Sequence, residues 1–186
     1  MPFRLLIYLT CLMCGPHHGF SQGNGWILHR APEGRFKVEV PGQLVQKSVK
    51  ASTDIGDLTT HLYILQTEEE AVETSGIYFY QISYCDFPPS VVHADSVELL
   101  QEFFRETVEA AVESVGGEVR YAEADRASGN PGYRWRIDYR DGEVAIRTRA
   151  LVAGSRYYAW QVVCAAPYSL SPDAGRFLES FQLLSE

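Results

Sequence analysis

Strict alternation of apolar and polar residues predicts several short strands in the first half of the chain. Between Arg35 and Val40 every second residue is apolar and its neighbours are charged, as in a strand with one buried face. Pro41-Gly42 then ends the strand. The acidic run 68–70 predicts a solvated loop. The same reasoning predicts further strands over 45–51, about 58–66 and 77–85.

Helical periodicity marks two later segments. A long helix is predicted between Asp95, a good N-cap residue, and Gly116-Gly117, a typical C-terminal stop. Ser171-Pro172 has the cap residue and first-turn proline of a second, shorter helix. The buried face of the long helix is predicted to carry Val97, Leu100, Phe104, Val108, Ala111 and Val115, and that of the short helix Phe177, Leu178 and Phe181.

Between the two helices the pattern predicts an antiparallel meander of four strands. Asp141-Gly142 is a strong signal for a tight hairpin turn and sets Tyr139 opposite Val144. A second turn at Gly154-Ser155 places Trp160 opposite Arg149. Because side chains alternate between the faces of a sheet, one face of the hairpin is apolar and the other is rich in arginine. The arginine face consists of Arg134, Arg136, Arg147 and Arg149.

Two interpretations of this arginine face stay open. Like charges directly across a strand pair are destabilising, so something must compensate them. An internal lattice of ion pairs with Asp138, Glu143 or carboxylates of another element is one answer. The other is a binding surface for a carboxylate, a phosphate or an acidic protein patch, with Trp160 stacking beside Arg149.

The first 21 residues have the pattern of a secretory signal peptide. Arg4 precedes an apolar run over 5–14 that is too short to span a bilayer, and small residues stand at Gly19 and Ser21. Cleavage is predicted after Ser21, with Gly23 as the competing site. We therefore expect an extracytoplasmic protein, periplasmic or secreted, with a single domain over 22–186 and no transmembrane segment after cleavage.

Charge and candidate chemistry narrow the expected function classes. The net charge of −8 opposes binding to nucleic acid. Cys85 and Cys164 are an even pair in a compartment that permits disulfides, so a bridge and two buried free thiols are both open. The three histidines outside the signal peptide lack metal-ligand spacing, and no nucleophile motif accompanies them. We predict no catalytic residue, no metal site and no cofactor.

Several short segments carry a resemblance to a known family. Their order, strands followed by a long helix, a meander and a short closing helix, adds to it. The chain resembles the PsbP-like α/β/α sandwich superfamily over nearly all of its mature length. That implies an α+β fold, with a mostly antiparallel sheet of about six or seven strands packed with one long and one short C-terminal helix. The segments are Phe36-Lys37-Val38 before Pro41-Gly42, Tyr84 to Pro88, Pro131-Gly132-Tyr133, Arg147 to Val152, and Phe177 to Phe181.

The resemblance also carries an expectation about function. The superfamily includes the extrinsic PsbP protein of photosystem II, a Ran-binding nuclear import factor and exported bacterial proteins of unknown role. It implies a non-enzymatic accessory or binding protein of the bacterial cell envelope, with an unknown envelope protein or a small anionic ligand as partner. A hydrolase with a dispersed active site and a structural subunit of an envelope complex are the alternatives. A pocket of convergent groups with perturbed pKa values would favour an enzyme.

Overall fold

Ten strands and three helices follow one another in residues 25–184, the part of the chain that the structure, a computed structural model, describes. The predicted signal peptide lies outside these residues. The elements are β1 (Ile27–Ala31), β2 (Phe36–Val40), β3 (Val45–Thr53), β4 (Gly56–Gln66), α1 (Glu69–Ser75), β5 (Ile77–Asp86), α2 (Val97–Val115), β6 (Glu118–Ala127), β7 (Asn130–Tyr139), β8 (Val144–Ala153), β9 (Arg156–Ala165), α3 (Pro172–Ser180) and β10 (Gln182–Leu183).

Seven strands form one antiparallel sheet, the large sheet, in the order β3-β4-β5-β9-β8-β7-β6. A small sheet has the order β1-β2-β10. One face of the large sheet packs against α3 and the small sheet, and the other packs against α2. The fold is therefore α+β, as predicted, with the large sheet in the middle of three layers.

The hairpin register follows the sequence prediction. Tyr139 pairs with Val144, and each further pair along the two strands keeps that register. The turn works because Asp141 and Gly142 both adopt positive φ, 55° and 85°, which is the backbone of the turn type that suits a right-twisted hairpin. Glu143 N–H closes the turn by donating to the carbonyl oxygen of Arg140 over 3.0 Å.

The short helix α3 also begins where the sequence predicts. The Ser171 side chain accepts a hydrogen bond from Ala174 N–H at 3.3 Å, and Pro172 occupies the first turn. This cap turns the apolar side of α3 onto the large sheet, where the Phe177 ring meets Tyr80 edge-on at 5.0 Å. The three predicted core residues of this region are all buried: Phe177, Leu178 and Phe181.

The long helix α2 departs from its predicted face at its first turn. The N-cap is Ser96 instead of Asp95, and its side chain makes no capping hydrogen bond. Val97 is 61% exposed, whereas Phe103, which was not predicted in the core, is buried. The reason is a tertiary contact, because Phe87 from the segment before the helix packs edge-on against Phe103 at 5.3 Å. Leu100, Phe104 and Val108 are buried as predicted.

The acidic run was wrongly predicted to be a loop. Glu69 and Glu70 form the first turn of α1, where carboxylates interact favourably with the helix dipole. The helix ends at Gly76, which has a φ of 67° and donates its N–H to the Val72 carbonyl. Its exposed surface gave no apolar periodicity from which the helix could be recognised.

Candidate functional site

The arginine face lies where the register prediction put it. Arg134 pairs with Arg149 across β7 and β8, and Arg136 pairs with Arg147. This face of the large sheet is the one covered by α3 and the small sheet. Four guanidinium ions so close together repel one another, so other groups of the fold must compensate their charge.

Asp138 compensates two arginines at once. Its carboxylate accepts hydrogen bonds from Arg136 Nε at 2.6 Å and from Arg120 Nε at 2.8 Å. The side chain of Asp138 is only 6% exposed. Burial alone would raise the pKa of this carboxyl, but the hydrogen bonds from Arg136 and Arg120 outweigh it and hold the pKa below its ordinary value.

Carboxylates from two other elements compensate Arg149 and Arg134, whereas Arg147 is bound by a backbone carbonyl group. Arg149 Nε donates to Asp125 of β6 at 2.8 Å, and its Nη1 donates to Glu179 of α3 at 2.6 Å. Arg134 Nε donates to Glu123 of β6 at 2.9 Å. Arg147 Nη1 donates to the carbonyl oxygen of Ser169 at 2.6 Å.

Among the described residues, the arginine face is therefore an ion-pair lattice. Of the carboxylates that the sequence analysis considered, Asp138 takes part, and β6 and α3 supply three more from other elements: Glu123, Asp125 and Glu179. Three of the four arginines of the face are thus paired with carboxylates, and Arg147 is bound by the Ser169 carbonyl oxygen.

Trp160 also belongs to the interior rather than to an open surface. Its side chain is 1% exposed, and its indole N–H donates to the carbonyl oxygen of Leu178 at 2.8 Å. The Arg149 guanidinium carbon lies 5.7 Å from the ring centroid, so the predicted cation–π contact exists. The hydrogen bond to Leu178 ties α3 to the sheet, and the buried indole ring is not available to a ligand.

Cys85 and Cys164 are both free and buried, which decides between the two alternatives left by the sequence. Cys85 pairs with Tyr157 near one end of the β5–β9 pair, and Cys164 pairs with Ile77 at the other. Eight residues of strand separate the two positions, roughly 26 Å, whereas a disulfide joins Cα atoms within about 7 Å. The thiols also point to opposite faces of the large sheet.

A cavity of about 130 Å³ lies on the other face of the large sheet, beneath α2. Its floor is low because small side chains stand side by side in adjacent strands: Ser83 of β5 pairs with Ala159 of β9, which pairs with Ala150 of β8. The C-terminal half of α2 contributes Ala111, Ser114 and Val115 above them. Because the side chains on the sheet and on α2 are small here, they leave a space that larger side chains would fill.

Aromatic contacts hold α2 at this distance from the sheet. The Phe104 ring stacks on Tyr133 of β7, with centroids 5.4 Å apart. The Phe103 ring meets Tyr157 of β9 edge-on at 5.2 Å. Both contacts fix the first half of α2 on the sheet. The second half of the helix continues from there above the cavity.

The lining of the cavity is mostly apolar and, among the described residues, carries no charged side chain. Trp135, Ile137 and Tyr157 form much of its wall, with Leu58 and Leu62 from β4. A short polar row crosses the floor, because Gln81 pairs with Gln161 and Gln161 with Thr148 in adjacent strands. The row consists of Gln81, Gln161 and Thr148.

The chemistry available in the cavity is that of binding. Cys85 is the nucleophile in its wall, but burial raises the pKa of its thiol to about 11, so almost none of it is thiolate near neutral pH. Within residues 25–184, no carboxylate or imidazole lines the cavity to act as a general base. The arrangement can enclose an apolar group and offer it amide and hydroxyl partners.

Sequence reasoning missed the cavity, although a signal for it exists. Gln81 and Ser83 alternate with buried aromatic and aliphatic residues in β5, and Ala159 and Gln161 do so in β9. Polar or small residues at every second position of two central strands indicate a face that no large side chain fills. These residues of β5 and β9 become neighbours only because the two strands pair in the sheet.

Residues 25–184 contain no group of three or more His, Cys, Asp and Glu side chains that could hold a metal ion. No helix within this range is both long and apolar enough to cross a membrane.

Comparisons with known proteins bear on the fold. No family model matches the sequence, and no curated protein matches it. The structure is similar to cyanobacterial PsbP (CyanoP) from Synechocystis sp. PCC 6803, with 13% identity, 89% of this chain and 98% of that chain covered, and a TM-score of 0.45. It is also similar to PA94 from Pseudomonas aeruginosa, a protein of unknown function, with 11% identity, coverage of 81% and 90%, and a TM-score of 0.38. A PsbP protein is thus among the similar structures, as the sequence resemblance indicated, and at these values the similarity concerns the fold alone.

Proposed function

We propose that this chain is an exported, non-enzymatic binding protein of the bacterial cell envelope that holds a small, mostly apolar ligand between α2 and the large sheet. The observation that carries the proposal is the cavity beneath α2. Its volume of about 130 Å³ gives room for roughly ten waters, at about 10–15 Å³ for each. A largely apolar recess with a few polar groups on its floor is the usual form of a ligand site.

Binding is favoured over hydrolysis by what lines the cavity. A hydrolase needs a nucleophile or an activated water together with a general base. The described lining offers Cys85, whose pKa of about 11 keeps it protonated, and no ionisable partner for it. Export is supported by the signal-like pattern of residues 1–21, and N-terminal sequencing of protein from the extracytoplasmic fraction tests it. A terminus at or near Gln22 supports export, and an intact Met1 in the cytosol contradicts it.

Ligand binding is tested with N-phenyl-1-naphthylamine, a neutral apolar fluorophore whose emission rises in apolar surroundings. We expect saturable binding to the wild-type chain and at least a tenfold loss in the Ala159→Phe variant, because a phenyl group at this floor position fills the cavity. The matched control is Ser48→Phe, which adds the same bulk at an exposed position of β3.

The two variants separate the possible outcomes. Binding that survives Ala159→Phe, in a variant that melts like the wild type, would place the fluorophore elsewhere and contradict the proposed site. Absence of saturable binding to the wild type would contradict the proposed function itself.

A further inference from the structure

The polar row on the cavity floor is asymmetric in its hydrogen bonding. Gln161 Oε1 accepts a hydrogen bond from Thr148 Oγ1 at 3.4 Å. Gln161 Nε2 is shielded from solvent and has no hydrogen-bond partner among the described residues. The floor therefore presents an unused N–H donor to whatever occupies the cavity.

An unused buried donor is unusual, because most buried polar groups find a partner in the protein or in ordered water. When a ligand displaces water from the cavity, leaving this amide N–H unpaired carries the desolvation cost of that group. A ligand that brings a hydrogen-bond acceptor to Gln161 Nε2 removes this cost, and a ligand without one does not. The amide therefore discriminates between ligands of the same shape.

The absence of charge in the described lining adds a second restriction. A carboxylate or an ammonium group that enters a site without a counter-charge loses its hydration and gains no ion pair in return. Gln161, Gln81 and Thr148 can each hydrogen-bond a neutral group, but none of them can neutralise a charge.

We propose, resting on the proposed function, that the ligand is an uncharged amphiphile. Its carbonyl or ester oxygen accepts a hydrogen bond from Gln161 Nε2, and its apolar part lies between the floor at Ala159 and the underside of α2 at Ala111 and Val115. The net charge of −8 acts in the same direction, because it disfavours the approach of anionic lipids and fatty acids to the protein.

A protein segment fits this site poorly. A peptide strand joins a sheet through unpaired backbone groups at its edge. The edge strand β3 contributes to the lining, but the polar row lies on β5, β9 and β8, which are interior strands paired on both sides. The occupant that the geometry favours is therefore a small molecule.

The inference is tested by displacement of N-phenyl-1-naphthylamine with three competitors that share an alkyl chain. 2-Decanone carries a carbonyl group, 2-methyl-1-decene replaces its oxygen with a methylene group, and decanoate carries a negative charge. The variant is Gln161→Leu, and the matched control is Gln46→Leu, the same change at an exposed position of β3 that does not line the cavity. Thermal melts establish that both variants fold.

We expect Gln161→Leu to weaken 2-decanone about tenfold, as for loss of one hydrogen bond to a neutral group, and to change 2-methyl-1-decene less than about twofold. Gln46→Leu should leave both affinities within about twofold, and decanoate should bind the wild type more weakly than 2-decanone. An equal effect of Gln161→Leu on both neutral competitors, or tighter binding of decanoate, would overturn the inference while the proposed function stands. If the fluorophore itself does not bind the wild type, the proposed function fails and the inference fails with it.

Discussion

The indole ring of Trp160 and the phenyl ring of Phe181 stack face to face, with centroids 4.2 Å apart and planes 10° from parallel. Trp160 stands in β9, and Phe181 directly follows α3. The contact therefore joins the end of the chain to the middle of the large sheet. On the other face of the sheet, Phe104 stacks on Tyr133 in the same manner, so one aromatic pair anchors each outer layer.

These two phenylalanines should be among the costliest to truncate. Phe181 is 4% exposed and Phe104 is 3% exposed, so Phe181→Ala and Phe104→Ala should each lower the free energy of unfolding by about 3–5 kcal/mol. Denaturant titration measures the loss. Val97→Ala, on the exposed first turn of α2, is the control and should change it by less than about 0.5 kcal/mol. A loss below about 1 kcal/mol at both phenylalanines would contradict the packing described for α2 and α3.

The ion-pair lattice predicts a structural role for Arg149. Its side chain is 15% exposed, and its removal leaves Asp125, itself 16% exposed, without its partner. Arg149→Met should therefore destabilise the fold by about 3 kcal/mol. Arg134→Met is the matched control, because Arg134 is 50% exposed in its pair with Glu123, and such pairs contribute under about 1 kcal/mol. Equal melting temperatures for wild type and Arg149→Met would show that the lattice is not structural.

Asp138 predicts a specific dependence of stability on pH. The pKa of this carboxyl is lower in the folded chain than in the unfolded chain. Its ionised form therefore adds stability that is fully present above the unfolded pKa of about 3.9, and that is lost as the pH falls through the folded pKa. Asp138→Asn lacks this contribution at every pH.

The measurement compares the unfolding free energies of wild type and Asp138→Asn at pH 7 and at pH 3. We expect a clear difference at pH 7 that narrows at pH 3. Asp141→Asn, in the exposed hairpin turn, should follow the wild type at both values. A difference between wild type and Asp138→Asn that grows on acidification would contradict the sign of the pKa shift.

The thiols give a prediction that needs no variant. A chain that begins at Gln22 should contain two free thiols per molecule when titrated in denaturant without reductant. In the folded state both should react slowly, because each is buried. Bound fluorophore should slow Cys85 further and leave Cys164 unaffected, since only Cys85 lines the cavity. A titre of zero would mean that a disulfide forms and that the strand positions described for the two cysteines are wrong.

Local signals account for the parts of the fold that the sequence predicted. The Asp141-Gly142 turn set the register of the hairpin, and the structure has each of the predicted pairs. The Ser171 cap placed α3, and two of its buried residues, Phe177 and Leu178, were predicted. In both cases residues a few positions apart decide the outcome, so the pattern is visible in the chain itself.

The parts that sequence reasoning missed depend on pairing between distant segments. Glu179 meets Arg149 thirty positions earlier in the chain, and no local pattern relates them. The cavity arises in the same way, because Ser83 and Ala159 become neighbours only through the pairing of β5 with β9. Such pairings require the strand order of the whole sheet, which the turn signals did not supply.

Alternation along β9 has an evolutionary consequence. Trp160 and Val162 are fixed by the core under α3, whereas Ala159 and Gln161 face the cavity. Mutation at Ala159 or Gln161 can therefore alter what the protein selects without disturbing the packing that Trp160 and Val162 maintain on the opposite face. Natural variants or a designed library could change the ligand specificity through the cavity-facing residues of β9, while the residues on its other face keep the fold unchanged.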